Sequence, residues 1–340
     1  MTPWATTFSR LYTDLSFAPE WCSFVGVICG EDTSSTQFRR VTDLELSYLD
    51  LEGTLPVLSQ LGEMTRLDIG YNYLRGGIPP SISGFTKLRS LSLHGNQLNG
   101  TIPSTIGSIT NMSILILSEN KLSGTIPSTL CGLTNLGYLD LRSNKLTGTM
   151  PSALGSLTNL RTLHIYDNKE LSGTIPSSLS YLTNLQTLIL FGNQLSGVIP
   201  STIGLLTNLL KLDFSTNKLS GTIPSSLSSL TKLEDFYARD NQLIGTIPVL
   251  NQPSLSTVDL SANYLTMGKL TEVPLSSFSA KALRFGVLLR ENCLKFRNPT
   301  TPLQNVNATR CKGKEATCMK STPHLISSHL FKRCNSKATL

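Results

Sequence analysis

Apolar and polar positions follow one phrase that returns about every 24 residues along this chain. One copy, residues 139–151, reads Leu-Asp-Leu-Arg-Ser-Asn-Lys-Leu-Thr-Gly-Thr-Met-Pro. The alternation at Leu139 and Leu141 predicts a short β-strand with both leucines inward. Gly148 permits a tight turn, and Pro151 suits the start of a short helical turn. The remaining inward positions of this unit are Leu146, Met150 and Leu154.

Each copy of the phrase has an asparagine just after its strand. An asparagine side chain carries two donors and an acceptor, so it can bridge the backbones of successive coils, whereas aspartate lacks the donors. We therefore predict a structural ladder with no catalytic role. Its rungs are Asn72, Asn96, Asn120, Asn144, Asn168, Asn193, Asn217, Asn241, Asn263 and, in a degenerate last copy, Asn292.

A fixed period of this length predicts a leucine-rich repeat solenoid, a curved right-handed superhelix. Its parallel β-sheet should line the concave face, and short 3-10 or irregular turns the convex face. We expect about eleven coils over residues 41–294, an N-terminal cap over residues 1–40, and a basic, cysteine-containing C-terminal cap or tail over residues 295–340.

The repeats resemble the plant-type subfamily of leucine-rich repeats. The phrase Leu-Ser-Gly-Thr-Ile-Pro occurs at residues 122–127 and 219–224, and Trp-Cys-Ser-Phe-Val-Gly-Val-Ile-Cys at residues 21–29 is similar to that subfamily's N-terminal cap. Phe24 stands where tryptophan is usual. The resemblance implies a Cys22–Cys29 disulfide and an amphipathic cap helix over residues 4–18. The cysteine-rich end departs from the plant pattern.

By the same resemblance we expect extracellular recognition. Members include ectodomains of receptor-like kinases and receptor-like proteins, polygalacturonase-inhibiting proteins and surface antigens of some protists. The expected function is binding of a peptide, protein or glycan on the concave face. The alternatives are inhibition of a cell-wall hydrolase, with the hydrolase or a cell-wall polysaccharide as partner, and a surface antigen without a single ligand. No cofactor is expected.

The net charge of +7 comes from one end of the chain. Residues 281–340 hold 12 Lys/Arg and 2 Asp/Glu, which leaves 17 basic and 20 acidic residues before them. The basic tail has no interleaved aromatic residues and no nucleic-acid motif, so we interpret it as a solvated tail rather than a nucleic-acid site.

Six of the seven cysteines lie outside the repeats, as expected for disulfide-bonded caps in an oxidising compartment. They are Cys22, Cys29, Cys293, Cys311, Cys318 and Cys334. The seventh, Cys131, occupies an apolar position and should behave as a small buried hydrophobe. A zinc site is the alternative for the last four cysteines, although their spacings match no common zinc pattern, and no metal is predicted.

The leader that such a compartment requires is not visible after Met1, and no stretch of 18 apolar residues follows. We therefore expect an extracellular or cell-surface protein whose sequence is a fragment, a mature form or an incomplete gene model. Contact with a membrane would need a segment absent from this chain.

Side chains next to the inward leucines of each strand should point to the concave face. Coils six to nine place aromatic and charged residues there, the types that dominate protein interfaces. We predict one ligand-binding patch spanning four coils. Its members are His164, Tyr166, Ile189, Phe191, Asp213, Tyr237 and Arg239.

Catalysis is not expected, because the chain has no nucleotide-binding loop, zinc-protease helix or kinase signature, and its four histidines are scattered. Asp140 and Asp213 should share a face, but they lie three coils apart, too far to act on one bond. Three Asn-x-Ser/Thr sequons, at Asn99, Asn111 and Asn307, permit glycosylation.

Overall fold

Two parallel β-sheets run along the stacked coils. The computed structural model describes residues 25–30, 40–55, 62–250 and 252–266, and the backbone of two short strands, Val306–Ala308 and Thr317–Met319, which pair antiparallel. The predicted cap helix, the ladder residue Asn292 and the side chains of the last four cysteines lie outside the described residues. The division into caps and repeats therefore stays a prediction at both ends.

The larger sheet has 11 strands and forms the concave face. Its first strand, Val27–Cys29, pairs antiparallel with the second, and all the others are parallel. The parallel strands define coils 1 to 10 in chain order. They are Val41–Glu45, Arg66–Asp68, Ser90–Ser92, Ile114–Ile116, Tyr138–Asp140, Thr162–His164, Thr187–Ile189, Lys211–Asp213, Asp235–Tyr237 and Thr257–Asp259.

The Leu-x-Gly-x-Ile-Pro half of each repeat forms a second parallel sheet on the flank of the solenoid. Its seven strands are Ser123–Thr125, Lys145–Thr149, Glu170–Thr174, Gln194–Val198, Lys218–Gly221, Gln242–Thr246 and Tyr264–Thr266. A separate pair, Glu52–Thr54 and Tyr73–Arg75, continues the same arrangement in coils 1 and 2.

Short 3-10 helices follow on the convex side, and the described residues contain no α-helix. A proline with φ between −61° and −69° precedes each of them, because its ring fixes the backbone angle that the turn needs. They are Pro80–Gly84, Ser104–Ser108, Ser128–Gly132, Ser152–Ser156, Ser177–Tyr181, Ser201–Leu205 and Ser225–Ser229.

The interior between these layers is filled by the repeating leucines and isoleucines. Leu139, Leu141, Leu146 and Leu154 are fully buried, as the apolar pattern predicts, and Met150 is nearly so. Each buried side chain of this size contributes about 1.5–3 kcal/mol to folding. Every coil repeats the same set, so the core grows with the number of coils rather than around one centre.

The nine described ladder asparagines each donate a hydrogen bond to a backbone carbonyl of the preceding coil. In coil 5, Oδ1 of Asn144 accepts a hydrogen bond from the Leu122 amide of the preceding coil at 3.0 Å. Its Nδ2 donates to the carbonyl of Leu117 in that coil and to those of Leu141 and Arg142 in its own. One side chain thus bonds four backbone groups of two coils, among which the Arg142 carbonyl also accepts from the Glu119 amide.

The 25-residue coil departs locally from this pattern. The extra residue follows Asn168, and the next rung, Asn193, accepts from the Asn168 amide at 3.0 Å instead of from a leucine amide. The Leu171 amide turns back to the Asn168 carbonyl at 2.8 Å. The insertion is therefore absorbed within one turn, and the strands on either side keep their register.

A second asparagine row, which we did not predict from the sequence, lies on the convex side. In five successive coils an exposed Asn Nδ2 donates to a threonine carbonyl of the preceding coil at 2.8–2.9 Å. These residues follow threonine in the phrase Thr-Asn, which was the available signal. They are Asn111, Asn135, Asn159, Asn184 and Asn208.

Two cysteine side chains, those of Cys29 and Cys131, lie within the described residues. Cys29 is disulfide-bonded, and its partner lies outside the described residues, so the pairing with Cys22 stays a prediction. Cys131 is a free thiol, 7% exposed, within the core. No helix in the described part could span a membrane, and no group of His, Cys, Asp or Glu there has the arrangement of a metal site.

Candidate functional site

The concave sheet arranges the predicted residues in two rows. The first row holds the residues four positions before each ladder asparagine, and the second holds those two positions before it. In the first row His164 pairs with Ile189, Ile189 with Asp213, and Asp213 with Tyr237 across neighbouring strands. Neighbouring strands lie about 4.8 Å apart, so these side chains are in adjacent positions. The structure therefore places these residues on neighbouring strands in the predicted order. This pairing does not by itself bring their side chains into contact.

Aromatic rings make continuous contact over coils 5 to 7. The rings of Tyr166 and Phe191 stack with centroids 4.3 Å apart and an interplanar angle of 20°. His164 meets the edge of Tyr166 at 5.8 Å and that of Tyr138 at 5.9 Å. Such pairs add about 0.5–1.5 kcal/mol beyond their buried area, which fixes the rings relative to one another.

Arg142 joins this cluster to the neighbouring carboxylates. Its Nη1 donates to the hydroxyl of Tyr166 at 3.0 Å, and its Nη2 lies 3.1 Å from Oε1 of Glu119. Its Nε lies 3.6 Å from Oδ2 of Asp140, which is 2% exposed. The guanidinium carbon is 5.7 Å from the Tyr166 ring centre. The arginine is thus held in place by the ring and by both carboxylates.

His164 is the least satisfied polar group of the cluster. Neither ring nitrogen has a hydrogen-bond partner, although both are buried. Burial lowers the pKa of His164 below its ordinary value, Arg142 acts in the same direction, and Asp140 opposes them. The imidazole is therefore favoured in its neutral form and behaves as part of the aromatic surface.

The outer members of the predicted patch do not join the ring contacts. Oδ1 of Asp213 accepts a hydrogen bond from the Ser215 amide at 2.8 Å, and Asp68, Asp140 and Asp259 bond in the same way in their own coils. Burial raises the pKa of Asp213. This carboxylate therefore has a structural role at the end of its strand.

Two further predicted residues, in coil 9, stand apart. Tyr237 makes no ring contact within the described residues, and the side chain of Arg239 is exposed without an ion pair or hydrogen bond. The connected site is smaller than the predicted patch and is shifted toward the N-terminus. We call Tyr138, Arg142, His164, Tyr166 and Phe191 the aromatic patch. Tyr138 and Arg142 were missed: Arg142 has the position of Tyr166 in its coil, whereas Tyr138 pairs with Thr162, a position that the prediction did not consider.

The flank carries a different repeating surface. The residue after the positive-φ glycine of each repeat is exposed, and its γ-methyl group covers the glycine of the next coil. A Cβ added to Gly173, for example, would lie 2.6 Å from Cγ2 of Thr149. We call these exposed residues the threonine row. They are Thr101, Thr125, Thr149, Thr174, Val198, Thr222 and Thr246.

The neighbouring serines tie the flank strands together. Oγ of Ser172, Ser196 and Ser220 donates to a glycine carbonyl of the preceding coil at 3.2–3.3 Å. The threonine hydroxyls make no hydrogen bond within the described residues and remain open to solvent. The flank therefore presents a methyl group in each of these coils and a free hydroxyl wherever the residue is threonine.

The predicted sequons differ in their surroundings. Asn111 is exposed, but its Nδ2 donates to the Thr86 carbonyl at 2.8 Å as part of the convex row. Asn99 is exposed at the end of a turn, and Asn307 lies in the strand Val306–Ala308. Glycosylation at all three stays a prediction.

Comparison with known families agrees with this architecture. The family model described as "Leucine rich repeat" matches residues 134–195, and "Leucine Rich Repeat" matches residues 63–85, 87–109, 111–133 and 208–230. The chain is a leucine-rich repeat protein of the plant type.

Several solved structures share the fold. The plant peptide hormone receptor RGFR1, in complex with RGF2, is 36% identical with a TM-score of 0.62, over 64% of this chain and 35% of that one. The Arabidopsis receptor kinase HAESA, in complex with the peptide hormone IDA and the co-receptor SERK1, is 31% identical with a TM-score of 0.58, over 78% and 47%. This chain thus spans about a third to a half of the length of these receptors.

A plant ice-binding protein is similar over nearly its whole length. It is 27% identical with a TM-score of 0.68, and the match covers 86% of this chain and 94% of that one.

Proposed function

We propose that this chain is an extracellular recognition module that binds a peptide or protein segment on the aromatic patch. The observation that carries this proposal is the connected set of two stacked rings, a neutral histidine and a fixed arginine on a rigid sheet. Tyrosine and arginine dominate the binding energy of protein interfaces when they are held in place. The parallel strands supply that rigidity without any closing loop.

The comparisons support the same class of ligand. RGFR1 is a peptide hormone receptor in complex with RGF2, and HAESA is in complex with the peptide hormone IDA. The concave sheet of this chain corresponds in fold to their repeats, but it covers only part of them. The ligand class and the extracellular location are therefore both parts of the proposal.

Phage display of short random peptides on the purified protein tests it. Peptides enriched by the wild-type protein should lose at least about tenfold in affinity for the variant Tyr166→Ala/Phe191→Ala, because the stacked pair is removed. The control is Tyr181→Ala, which removes an exposed ring from the convex side. Circular dichroism checks that all three proteins are folded.

Two results would overturn the proposal. Failure to enrich any peptide excludes this ligand class, and an affinity that Tyr166→Ala/Phe191→Ala leaves unchanged excludes this surface. Inhibition of pectin hydrolysis by a polygalacturonase would instead favour the hydrolase-inhibitor function, and enrichment on a glycan array would favour a polysaccharide ligand.

A second candidate function is binding to ice, and the threonine row is the observation that favours it. The row presents methyl groups at one position in each coil from 3 to 9, and a free hydroxyl at each of these positions except Val198 in coil 7. Such a surface can hold water molecules in a repeating pattern. The match to the plant ice-binding protein covers 94% of that protein's chain.

Inhibition of ice recrystallisation tests this candidate. The wild-type protein should slow crystal growth, and Thr149→Lys/Thr174→Lys should abolish the effect by interrupting the row. Tyr166→Ala/Phe191→Ala is the matched control, since it alters the other face. Ice growth unaffected by the wild-type protein, or equally slowed by the lysine variant, excludes the threonine row as an ice-binding surface.

A further inference from the structure

A second aromatic cluster lies near the N-terminal end of the solenoid, apart from the aromatic patch. The rings of Tyr48 and Tyr71 stack with centroids 4.5 Å apart and an interplanar angle of 20°. His94 meets the edge of Tyr71 at 4.5 Å. Gly95 accommodates this arrangement, because a Cβ there would lie 2.6 Å from the Tyr71 ring.

The backbone of this cluster is unusual for its residue types. Tyr48 has φ 61° and Tyr71 has φ 48°, a left-handed conformation that bulky residues rarely adopt. The same turn position holds Gly95, Ser143 or Asp167 in other coils.

The cluster borders a cleft of about 330 Å³. Its lining residues are Tyr48, Asp50, Tyr71, Asn72, Tyr73 and Gly95. The side chain of Asn72 is fully used by the ladder, with its Oδ1 accepting from the Leu49 and Leu51 amides. Tyr48 and Tyr73 are 70% and 48% exposed, so the rings can be reached from solvent.

The charge at the cleft is unbalanced. The exposed carboxylate of Asp50 has neither an ion pair nor a hydrogen bond in the described part of the chain, and the same is true of Glu52 on the strand beside Tyr73. Arg66 is already paired with Glu45 at 3.0 Å. Arg75, two residues after Tyr73, does not line the cleft.

We propose that this cleft binds a single guanidinium or ammonium group, as carried by an Arg or Lys side chain of a ligand. Exposed tyrosine rings attract a cation through their negative faces, and an unpaired carboxylate beside them adds a charge-assisted hydrogen bond. A neutral sugar would use the rings but would leave the charge of Asp50 uncompensated. The site is separate from the aromatic patch and does not depend on it.

The probe is Nα-acetyl-arginine amide, with the neutral citrulline analogue as its counterpart, titrated into the full chain and followed by NMR. Arginine should bind saturably, and citrulline at least about tenfold more weakly. Asp50→Asn should weaken arginine binding by a similar factor. This substitution keeps the side-chain size, and asparagine tolerates the positive φ of 52° at this position.

Asp240→Asn is the matched control, because Asp240 is also an exposed carboxylate with positive φ, at 54°, but lies in coil 9. Tyr48→Ala should also weaken binding, and Ala262 shows that alanine fits this turn position.

Equal affinity for arginine and citrulline, no saturable binding, or unchanged affinity in Asp50→Asn would overturn the proposal. Binding of a methyl glycoside without binding of arginine would identify a carbohydrate site instead. None of these results bears on the peptide binding proposed for the aromatic patch.

Discussion

At the scale of the residue, the same amino acid has different importance on the two sides of the solenoid. Asn144 is buried and makes four hydrogen bonds to backbone groups, three of which are buried. Asn135 makes one inter-coil bond on the exposed convex side, where water can replace it. The energetic role of an asparagine here therefore follows from burial rather than from the number of coils it links.

Asn144→Ala should lower the free energy of unfolding by roughly 2–4 kcal/mol, because it leaves several buried backbone groups without partners. Asn135→Ala should cost less than about 1 kcal/mol. Urea unfolding followed by circular dichroism measures both. Equal losses in the two variants would contradict the assigned difference between the inner ladder and the convex row.

His164 should make stability depend on pH. Its folded-state pKa is lowered by burial, so between that pKa and the ordinary value of about 6.5 the unfolded chain binds more protons, and stability falls as the pH falls through this window. The facing groups are Tyr138, Asp140, Arg142 and Tyr166. Urea midpoints of the wild-type protein should therefore decrease more steeply on acidification than those of His164→Phe. Parallel pH curves would show that His164 is not the responsible group.

At the scale of the element, each flank strand depends on contact between a glycine and a threonine of the preceding coil. Gly173 has φ 81° and lies under the methyl group of Thr149. Glycine is required at this position for two reasons: its backbone adopts the positive φ, and it has no Cβ to clash with the methyl group. This contact fixes the position of the methyl group in each such coil.

Gly173→Ala should destabilise the protein by about 1–3 kcal/mol through both effects. Adding Thr149→Ser should recover part of the loss, since it removes the clash but not the backbone strain. Gly137→Ala is the control, because its φ is not positive and its nearest neighbour would be 3.7 Å away. Thermal unfolding of the wild-type protein and the three variants separates the steric clash from the backbone strain. Full recovery of stability in Gly173→Ala/Thr149→Ser would show that backbone strain does not contribute.

At the scale of the whole molecule, stability and recognition are both divided among neighbouring coils. The aromatic patch occupies coils 5 to 7, and the cation cleft occupies coils 1 to 3. Each coil contacts only its neighbours, so no long-range closure holds these sites in place. Removal of one complete coil elsewhere should leave both sites intact.

Deletion of residues 218–241 joins Asn217 to Gln242 and removes Tyr237 and Arg239 together with one complete coil. The shortened protein should unfold cooperatively at a modestly lower urea concentration and should bind patch-selected peptides as tightly as before. Deletion of only residues 218–229 should prevent folding of the flanking coils, because it breaks the repeat period. Loss of peptide binding in the folded 24-residue deletion would extend the site into coil 9.

The sequence by itself determined the coils, their inward leucines and the asparagine ladder. These features follow from period and from local residue chemistry, and each coil repeats them independently. Only the tertiary structure decided which exposed side chains meet. The His164, Tyr166 and Phe191 contact was predictable from strand positions, but the role of Arg142 depends on its approach to Tyr166 and Asp140. The Tyr48 and Tyr71 stack depends on side-chain directions at positive φ, which alternation along a strand does not specify.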